Sequence, residues 1–289
     1  MKDYLSLVKF AHTIFAMPFA LLGLVLGLVD AEIGSRWWIL LLQVLACMVF
    51  ARNAAMAFNR YVDWRQDLQN PRTVMREIPQ GIVSPKRALA FTVVNGFLFI
   101  LTTYFINTLC FFLSPVALLV ILGYSYTKRF TFLCHLILGL GLGLAPVGAY
   151  LAVTAQFSQI PLLLGGAVVF WVAGFDMIYS LQDESFDRAH GLRSIPVLLG
   201  GSKALQLSAV LHALCAVLIA SALWSSNIRY PSLQFLHWLA GVAFISLLFY
   251  QHSLVKPHDL SRVNLAFFTT NGIASLLFAS MIILDLLLV

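Results

Sequence analysis

The chain has 289 residues, of which 61% are hydrophobic and only 10% charged, with a mean hydropathy of +0.90. A water-soluble globule of that composition would lack the polar surface to cover itself, so an integral membrane protein is predicted. The net charge of +6 reads as a signal of membrane topology rather than as a nucleic-acid surface, because lysine and arginine sort to one side of the predicted spans.

Taken in chain order, apolar runs of about 20 residues fall near Lys9 to Val29, Trp37 to Phe58, Ala88 to Asn107, Leu109 to Tyr126, Phe132 to Thr154, Ile160 to Gln182, Ala204 to Ser225, Phe235 to Val255 and Asn264 to Leu288. They predict an all-α, polytopic transmembrane bundle of about nine helices, a single domain over residues 1–289. A transmembrane β-barrel is excluded, since its strands alternate in polarity and these runs are continuously apolar. The first run is span-length and lacks a small-residue cleavage site, so it is expected to remain as the first helix. With a cytoplasmic N-terminus, the cytoplasmic side receives Lys2, Lys9, the group from Arg60 to Arg87, Lys128, Arg129, Arg188, Arg193, Lys203, Lys256 and Arg262. The other side keeps Arg36 and Arg229, the asymmetry that orients a polytopic protein. Two cytoplasmic loops are long, near residues 67–86 and 183–203, and function is expected to concentrate there.

Six of the twelve acidic residues lie in two clusters at the ends of apolar runs, Asn59 to Asp67 and Asp176 to Asp187. An unpaired ion at the mouth of a membrane interior costs roughly 2.5 to 3.5 kcal/mol, so these carboxylates imply a site. At about 100° per residue, Asn59, Asp63 and Asp67 form one stripe at the cytoplasmic end of the second helix. Asp176, Asp183 and Asp187 form the same kind of stripe on the sixth, and Arg52 lies on the first stripe two turns deeper. Two facing carboxylate stripes repel unless a cation resolves them. Oxygen-only ligands point to a hard ion, Mg²⁺ before Ca²⁺, and Arg72, Arg76, Lys128, Arg129 and Arg193 around them suit a diphosphate. Elsewhere, Cys47, Cys110, Cys134 and Cys215 are scattered and read as small buried hydrophobes. The seven histidines show no metal-ligand spacing, and His190, the one beside an acidic cluster, reads as a solvated helix end.

Asn59-x-x-x-Asp63-x-x-x-Asp67, then Asn70-Pro71-Arg72-Thr73 with Arg76, Tyr124 with Lys128-Arg129, and Asp176-x-x-Tyr179-x-x-Gln182-Asp183-x-x-x-Asp187 with Ser194-x-Pro196 resemble the UbiA superfamily of intramembrane prenyltransferases. The likeness runs from His12-Thr13-x-Phe15-Ala16-x-Pro18 through almost the whole chain; Arg60 stands where many members carry Asp. The resemblance implies catalytic roles for Asp63, Asp67, Asp176, Asp183 and Asp187, with Asp63, Asp67, Asp183 and Asp187 holding Mg²⁺. It implies substrate contacts from Lys9, Arg52, Asn59, Arg72, Tyr124, Lys128 and Tyr179. A polyprenyl diphosphate ionises to an allyl cation and alkylates an acceptor, while its tail lies in a groove open to membrane lipid. The loop pattern is most similar to the 4-hydroxybenzoate polyprenyltransferases and their futalosine-route menaquinone relatives, which implies an aromatic acid acceptor, a bacterial inner membrane and a site facing the cytoplasm. Dihydroxynaphthoate, haem, chlorophyllide or a glycerol-phosphate lipid remain alternative acceptors. An ion-coupled transporter is a further alternative, against which the carboxylates gather at one face rather than at the midplane.

Overall fold

The computed structural model describes residues 6–7, 15–31 and 34–288, so Lys9 lies outside the described residues. Among these there are nine long helices and no strand: α1 (Met17–Asp30), α2 (Trp37–Asp67), α3 (Pro85–Ile106), α4 (Thr108–Thr127), α5 (Cys134–Thr154), α6 (Gln159–Ser180), α7 (Gly201–Arg229), α8 (Leu236–Leu254) and α9 (Asn271–Leu287). Seven helical segments among the described residues are long and apolar enough to cross a membrane, and the chain is an integral membrane protein. Each helix packs against the next and α9 returns to α1, which closes a ring; α1 also lies against α5.

Local chemistry sets the joints of this ring. Asn107 alone separates α3 from α4: its side chain accepts the Cys110 amide at 2.9 Å as an N-cap and donates to the Leu151 carbonyl of α5 at 2.9 Å. Ser84 caps α3, whose first residue is Pro85, by accepting the Arg87 amide. α5 and α6 approach backbone to backbone because Gly139 and Gly143 face Val169 and Gly165; a Cβ on Gly139 would stand 2.3 Å from the Val169 carbonyl oxygen. At the end of the bundle away from the carboxylates, Asp30 receives the Tyr150 hydroxyl at 2.7 Å and Arg229 Nε at 3.1 Å, tying together the ends of α1, α5 and α7.

The two halves of the ring are filled differently. On one side, Phe19, Trp171, Phe244 and Phe278 from α1, α6, α8 and α9 form a close-packed aromatic core, with the Trp171 and Phe244 rings 5.4 Å apart. On the other, α2 to α5 surround a cavity of about 560 Å³. Small residues leave that space: Cys47, Ala51 and Ala55 on α2, and Gly141, Ala145 and Gly148 on α5. Along α4 the lining runs from Tyr124 to Cys110, a length of about 21 Å at 1.5 Å per residue.

As expected, the second helix runs unbroken to Asp67 and carries the whole first motif, and one departure from the sequence reading bears on the site. The second motif is not one stripe on one helix, because α6 stops at Ser180, a 3₁₀ turn spans Leu181–Asp183, and a short helix runs over Glu184–Ala189. Ser180 Oγ donates to the Met177 carbonyl at 2.9 Å and Gln182 Nε2 to the Tyr179 carbonyl at 3.1 Å, and side chains that take main-chain carbonyls compete with the helical ladder. Three residues of tighter winding rotate Asp183 and Asp187 by about 60° from the position an unbroken helix would give them.

Candidate active site

The first cluster is a set of charge pairs built from α2 outward. Asn59 Nδ2 donates to Asp63 Oδ2 at 3.1 Å, and Asp63 Oδ1 meets Arg129 from beyond α4 at 3.2 Å. One turn further, buried Asp67 takes both carboxylate oxygens to Arg76 Nη1, at 2.7 and 2.9 Å. The chain folds back to allow this contact, because Thr73 Oγ1 donates to the Asp67 carbonyl at 3.3 Å and the Arg72 amide to Asn70 Oδ1 at 2.9 Å.

The same loop carries the first cluster to the second. Arg72 Nε and Nη2 grip Asp183 in a fork, at 2.8 and 2.5 Å, and Asn70 Nδ2 donates to Asp183 Oδ1 at 3.3 Å. Asp187, almost fully buried, meets Lys128 Nζ at 3.0 Å. Burial opposes the charge on Lys128, but Asp187 and Asp183 outweigh it and raise its pKa above the ordinary lysine value. For Arg72 likewise, burial lowers the pKa while Asp183 more than compensates, so the net shift is upward. Lys128 also acts electrostatically on Asp63, and Arg72 is within reach of Asp67. The two acidic motifs therefore converge around Arg72 and Lys128.

Four carboxylates thus stand beside four cations, an arrangement suited to an incoming polyanion. Among the described residues, no three carboxylate, imidazole or thiolate groups come close enough to hold a metal by themselves. The donor set nevertheless fits a hard divalent cation: it is all oxygen, and such an ion takes one or two protein carboxylates and fills its remaining positions with water or phosphate oxygens. The guanidinium and ammonium groups that now neutralise the carboxylates have the geometry to bind those phosphate oxygens instead.

Below the charged cluster lies the apolar cavity, with Arg52 and Tyr124 in its wall. Tyr124 is within electrostatic reach of both Asp63 and Asp176, one from each motif. Tyr179 sits on the opposite side, its hydroxyl accepting from Arg72 Nη1 at 3.2 Å and its ring 5.3 Å beneath the guanidinium. That ring stacks on Phe267 with centroids 4.1 Å apart. Phe267 belongs to a π turn, Leu265–Thr270, at the start of the ninth span. The carbonyls of this wide turn are met by Asn271 Nδ2 on Phe267 at 2.9 Å and Gln251 Nε2 on Ala266 at 2.9 Å.

Of the expected residues, Asn59, Asp63, Asp67, Arg72, Lys128, Asp183 and Asp187 are brought together in the charged cluster. Arg52 and Tyr124 stand apart from it in the cavity wall. His190 points outward, exposed and stacked on Phe186, and Arg193 turns to the Phe130 carbonyl at 2.7 Å instead of to a carboxylate. Arg60, only 4% exposed, has a buried Nε without a hydrogen-bond partner among the described residues. Asp176 is held not by a cation from a loop but by His135 Nδ1, at 2.7 Å, a residue that spacing alone did not single out. The π turn was also missed, although two amides inside apolar spans, Gln251 and Asn271, were a signal for it.

The model of the UbiA prenyltransferase family matches residues 16–276. A 4-hydroxybenzoate octaprenyltransferase of Aliivibrio fischeri is 31% identical over 247 residues, covering 84% of this chain and 82% of that protein. An enzyme of the same name from Alcanivorax borkumensis is 32% identical over 213 residues, covering 73% and 71%. Among solved structures, the apo form of a UbiA homologue from Aeropyrum pernix K1 superposes with a TM-score of 0.83 at 32% identity, covering 96% of this chain and 98% of that one. A UbiA homologue from Archaeoglobus fulgidus, solved with GPP and Mg²⁺, shares the fold, with a TM-score of 0.73 at 22% identity over 99% of this chain and 100% of its own. With two aspartate motifs joined by one loop at the end of a nine-helix ring, and a family match over most of its length, this chain belongs to the UbiA prenyltransferase family.

Proposed function

We propose that this prenyltransferase moves a polyprenyl group from an allylic polyprenyl diphosphate to an aromatic carboxylic acid of the 4-hydroxybenzoate type, in ubiquinone or menaquinone synthesis. The observation that carries the reading is the junction of two unlike spaces: an ion-paired carboxylate cluster above, and below it an apolar cavity with one arginine, Arg52, in its wall. A diphosphate with a long apolar tail and a flat acid with one negative end suit these two spaces. The site would face the cytoplasm of a bacterial inner membrane, because lysine and arginine concentrate at the carboxylate end.

The diphosphate head enters the charged cluster, where Arg72 and Lys128 take phosphate oxygens while Asn70, Thr73 and Arg76 keep the loop in place. Mg²⁺, held by Asp63, Asp67, Asp183 and Asp187 directly or through water, supplies further neutralisation of the diphosphate as it leaves. The polyprenyl tail occupies the cavity between α2 and α5. Tyr124 offers a π face to the allyl cation, as does Tyr179 once Arg72 turns from its ring to the phosphate, and the aromatic floor under Tyr179 keeps water out. The acceptor places its carboxylate on Arg52 in a charge-assisted pair, with Asp176 and Asn59 orienting its hydroxyl end. The allylic C–O bond breaks with its electron pair leaving on the diphosphate, the ring carbon beside the hydroxyl then forms the new C–C bond to the allyl cation, and loss of the proton from that carbon restores the aromatic ring.

The test is to incubate purified protein with a polyprenyl diphosphate, Mg²⁺ and a panel of acceptors, and identify products by mass spectrometry. Ring-prenylated 4-hydroxybenzoate or a close aromatic acid is the expected product. Prenylation restricted to acceptors without a carboxylate, such as a glycerol-phosphate lipid, would overturn the acceptor assignment.

A further inference from the structure

His135 is the second residue of α5 and is completely buried. Its Nδ1 lies 2.7 Å from Asp176 Oδ2, and its Nε2 lies 3.4 Å from the Ile195 amide nitrogen. A carboxylate only accepts, so the proton between them sits on Nδ1 and the imidazole donates to Asp176, while Nε2 faces the Ile195 amide. The other carboxylate oxygen, Oδ1, makes no hydrogen bond to any described residue, and the Asp176 side chain is 22% exposed. One oxygen is therefore tied down, while the other has no partner among the described residues on a side chain that is partly exposed.

The far side of the imidazole reaches a second functional segment. Ile195 opens the short helix Ile195–Leu199, at the end of the loop that carries Asp187. In that loop the Arg193 amide donates to the Lys128 carbonyl at 2.6 Å, and Lys128 holds Asp187. His135 thus connects the Asp176 carboxylate to the loop that builds the diphosphate side.

We propose that His135 is a positioning residue for the transfer reaction: it turns Asp176 so that Oδ1 accepts a hydrogen bond from the acceptor's hydroxyl, and it couples that orientation to the 183–203 loop. The inference rests on the reading of Asp176 as the carboxylate that meets the acceptor. His135 itself touches neither substrate. Accepting the hydroxyl hydrogen bond raises electron density on the ring carbon that attacks the allyl cation, so a misdirected Asp176 slows the chemical step more than it weakens donor binding.

The experiment is a double-mutant cycle on the purified full chain, with His135→Leu, His135→Asn, Asp176→Asn and the double variant His135→Leu/Asp176→Asn. His135→Leu is expected to lower kcat about tenfold or more, the loss of a charge-assisted hydrogen bond, while KM for the polyprenyl diphosphate stays within about threefold. His135→Asn keeps an N–H donor near the Nδ1 position and is expected to recover most of the lost kcat. In the Asp176→Asn background, His135→Leu is expected to add little, because its effect travels through that carboxylate. Mg²⁺-dependent binding of the polyprenyl diphosphate establishes that each variant is folded, and His135→Asn with Asp176→Asn decides the matter if the leucine variant is not. Additive losses in the cycle, or equal losses for the leucine and asparagine variants, would overturn the proposal. A parent protein that prenylates no aromatic acid would instead overturn the function on which the proposal rests.

Discussion

At the scale of single residues, the four paired aspartates carry the reading. Each contacts a cation supplied by another segment: Asp63 with Arg129, Asp67 with Arg76, Asp183 with Arg72 and Asp187 with Lys128. Asparagine at any of these positions removes the charge needed for a metal while keeping size and some hydrogen bonding. Asp67→Asn and Asp183→Asn are expected to reduce turnover by at least about a hundredfold, on the order of 2.7 kcal/mol, with thermal unfolding in detergent shifted little. Turnover within a few-fold of the parent in both would remove these residues from the reaction. Arg52→Ala is expected to raise KM for the aromatic acid by about tenfold or more, the roughly 1.4 kcal/mol of a charge-assisted bond, and to leave KM for the polyprenyl diphosphate almost unchanged. The opposite pattern, with donor KM raised and acceptor KM kept, would assign Arg52 to the diphosphate. Spacing along one helix made Asn59, Asp63 and Asp67 legible in the sequence, since i, i+4 and i+8 share a face. It could not show that Arg72 crosses to Asp183, 111 positions away, because that contact depends on how a loop folds.

At the scale of elements, the site depends on how closely α5 and α6 pack, since each supplies half of the His135 and Asp176 pair. Gly139 lies one turn beyond His135, against the Val169 carbonyl two turns before Asp176. Backbone atoms on both sides leave nothing flexible to move aside, so Gly139→Ala is expected to cost about 1 to 3 kcal/mol and to lower turnover together with stability. A Cβ on Gly148, in the wall of the cavity, would meet no atom within 4 Å, and Gly148→Ala is expected to leave the unfolding temperature within a degree or two, about the effect of a few tenths of a kcal/mol. Equal loss from both substitutions would remove the α5 and α6 contact as the cause, since helix propensity by itself favours alanine over glycine. The helices themselves were legible from apolar run length. The 3₁₀ break after Ser180 and the π turn at Leu265–Thr270 were not, because both arise from polar side chains competing for main-chain carbonyls within runs that hydropathy reads as uniform.

At the scale of the whole molecule, the ring is divided into a filled half and a hollow half, and the charged cluster caps the hollow one. Membrane class and helix number follow from hydropathy. Which half would be hollow did not follow, since alanine and glycine in an apolar span mark a close contact as readily as a wall: Gly139 is the first and Gly148 the second. Filling the hollow half tests its use. Ala145→Phe, in the cavity wall, is expected to depress turnover of long polyprenyl donors more than that of a two-isoprene donor, and an equal effect on both would place the tail elsewhere. The central claim is that the paired carboxylates form a metal-dependent diphosphate site, and equilibrium binding of a polyprenyl diphosphate to the purified protein, with Mg²⁺ and with EDTA, tests it most directly. Affinity is predicted to rise at least about tenfold with Mg²⁺, about 1.4 kcal/mol, in the parent chain and to lose that dependence in Asp67→Asn and Asp183→Asn; binding equally tight in EDTA, or unchanged by both substitutions, would contradict it.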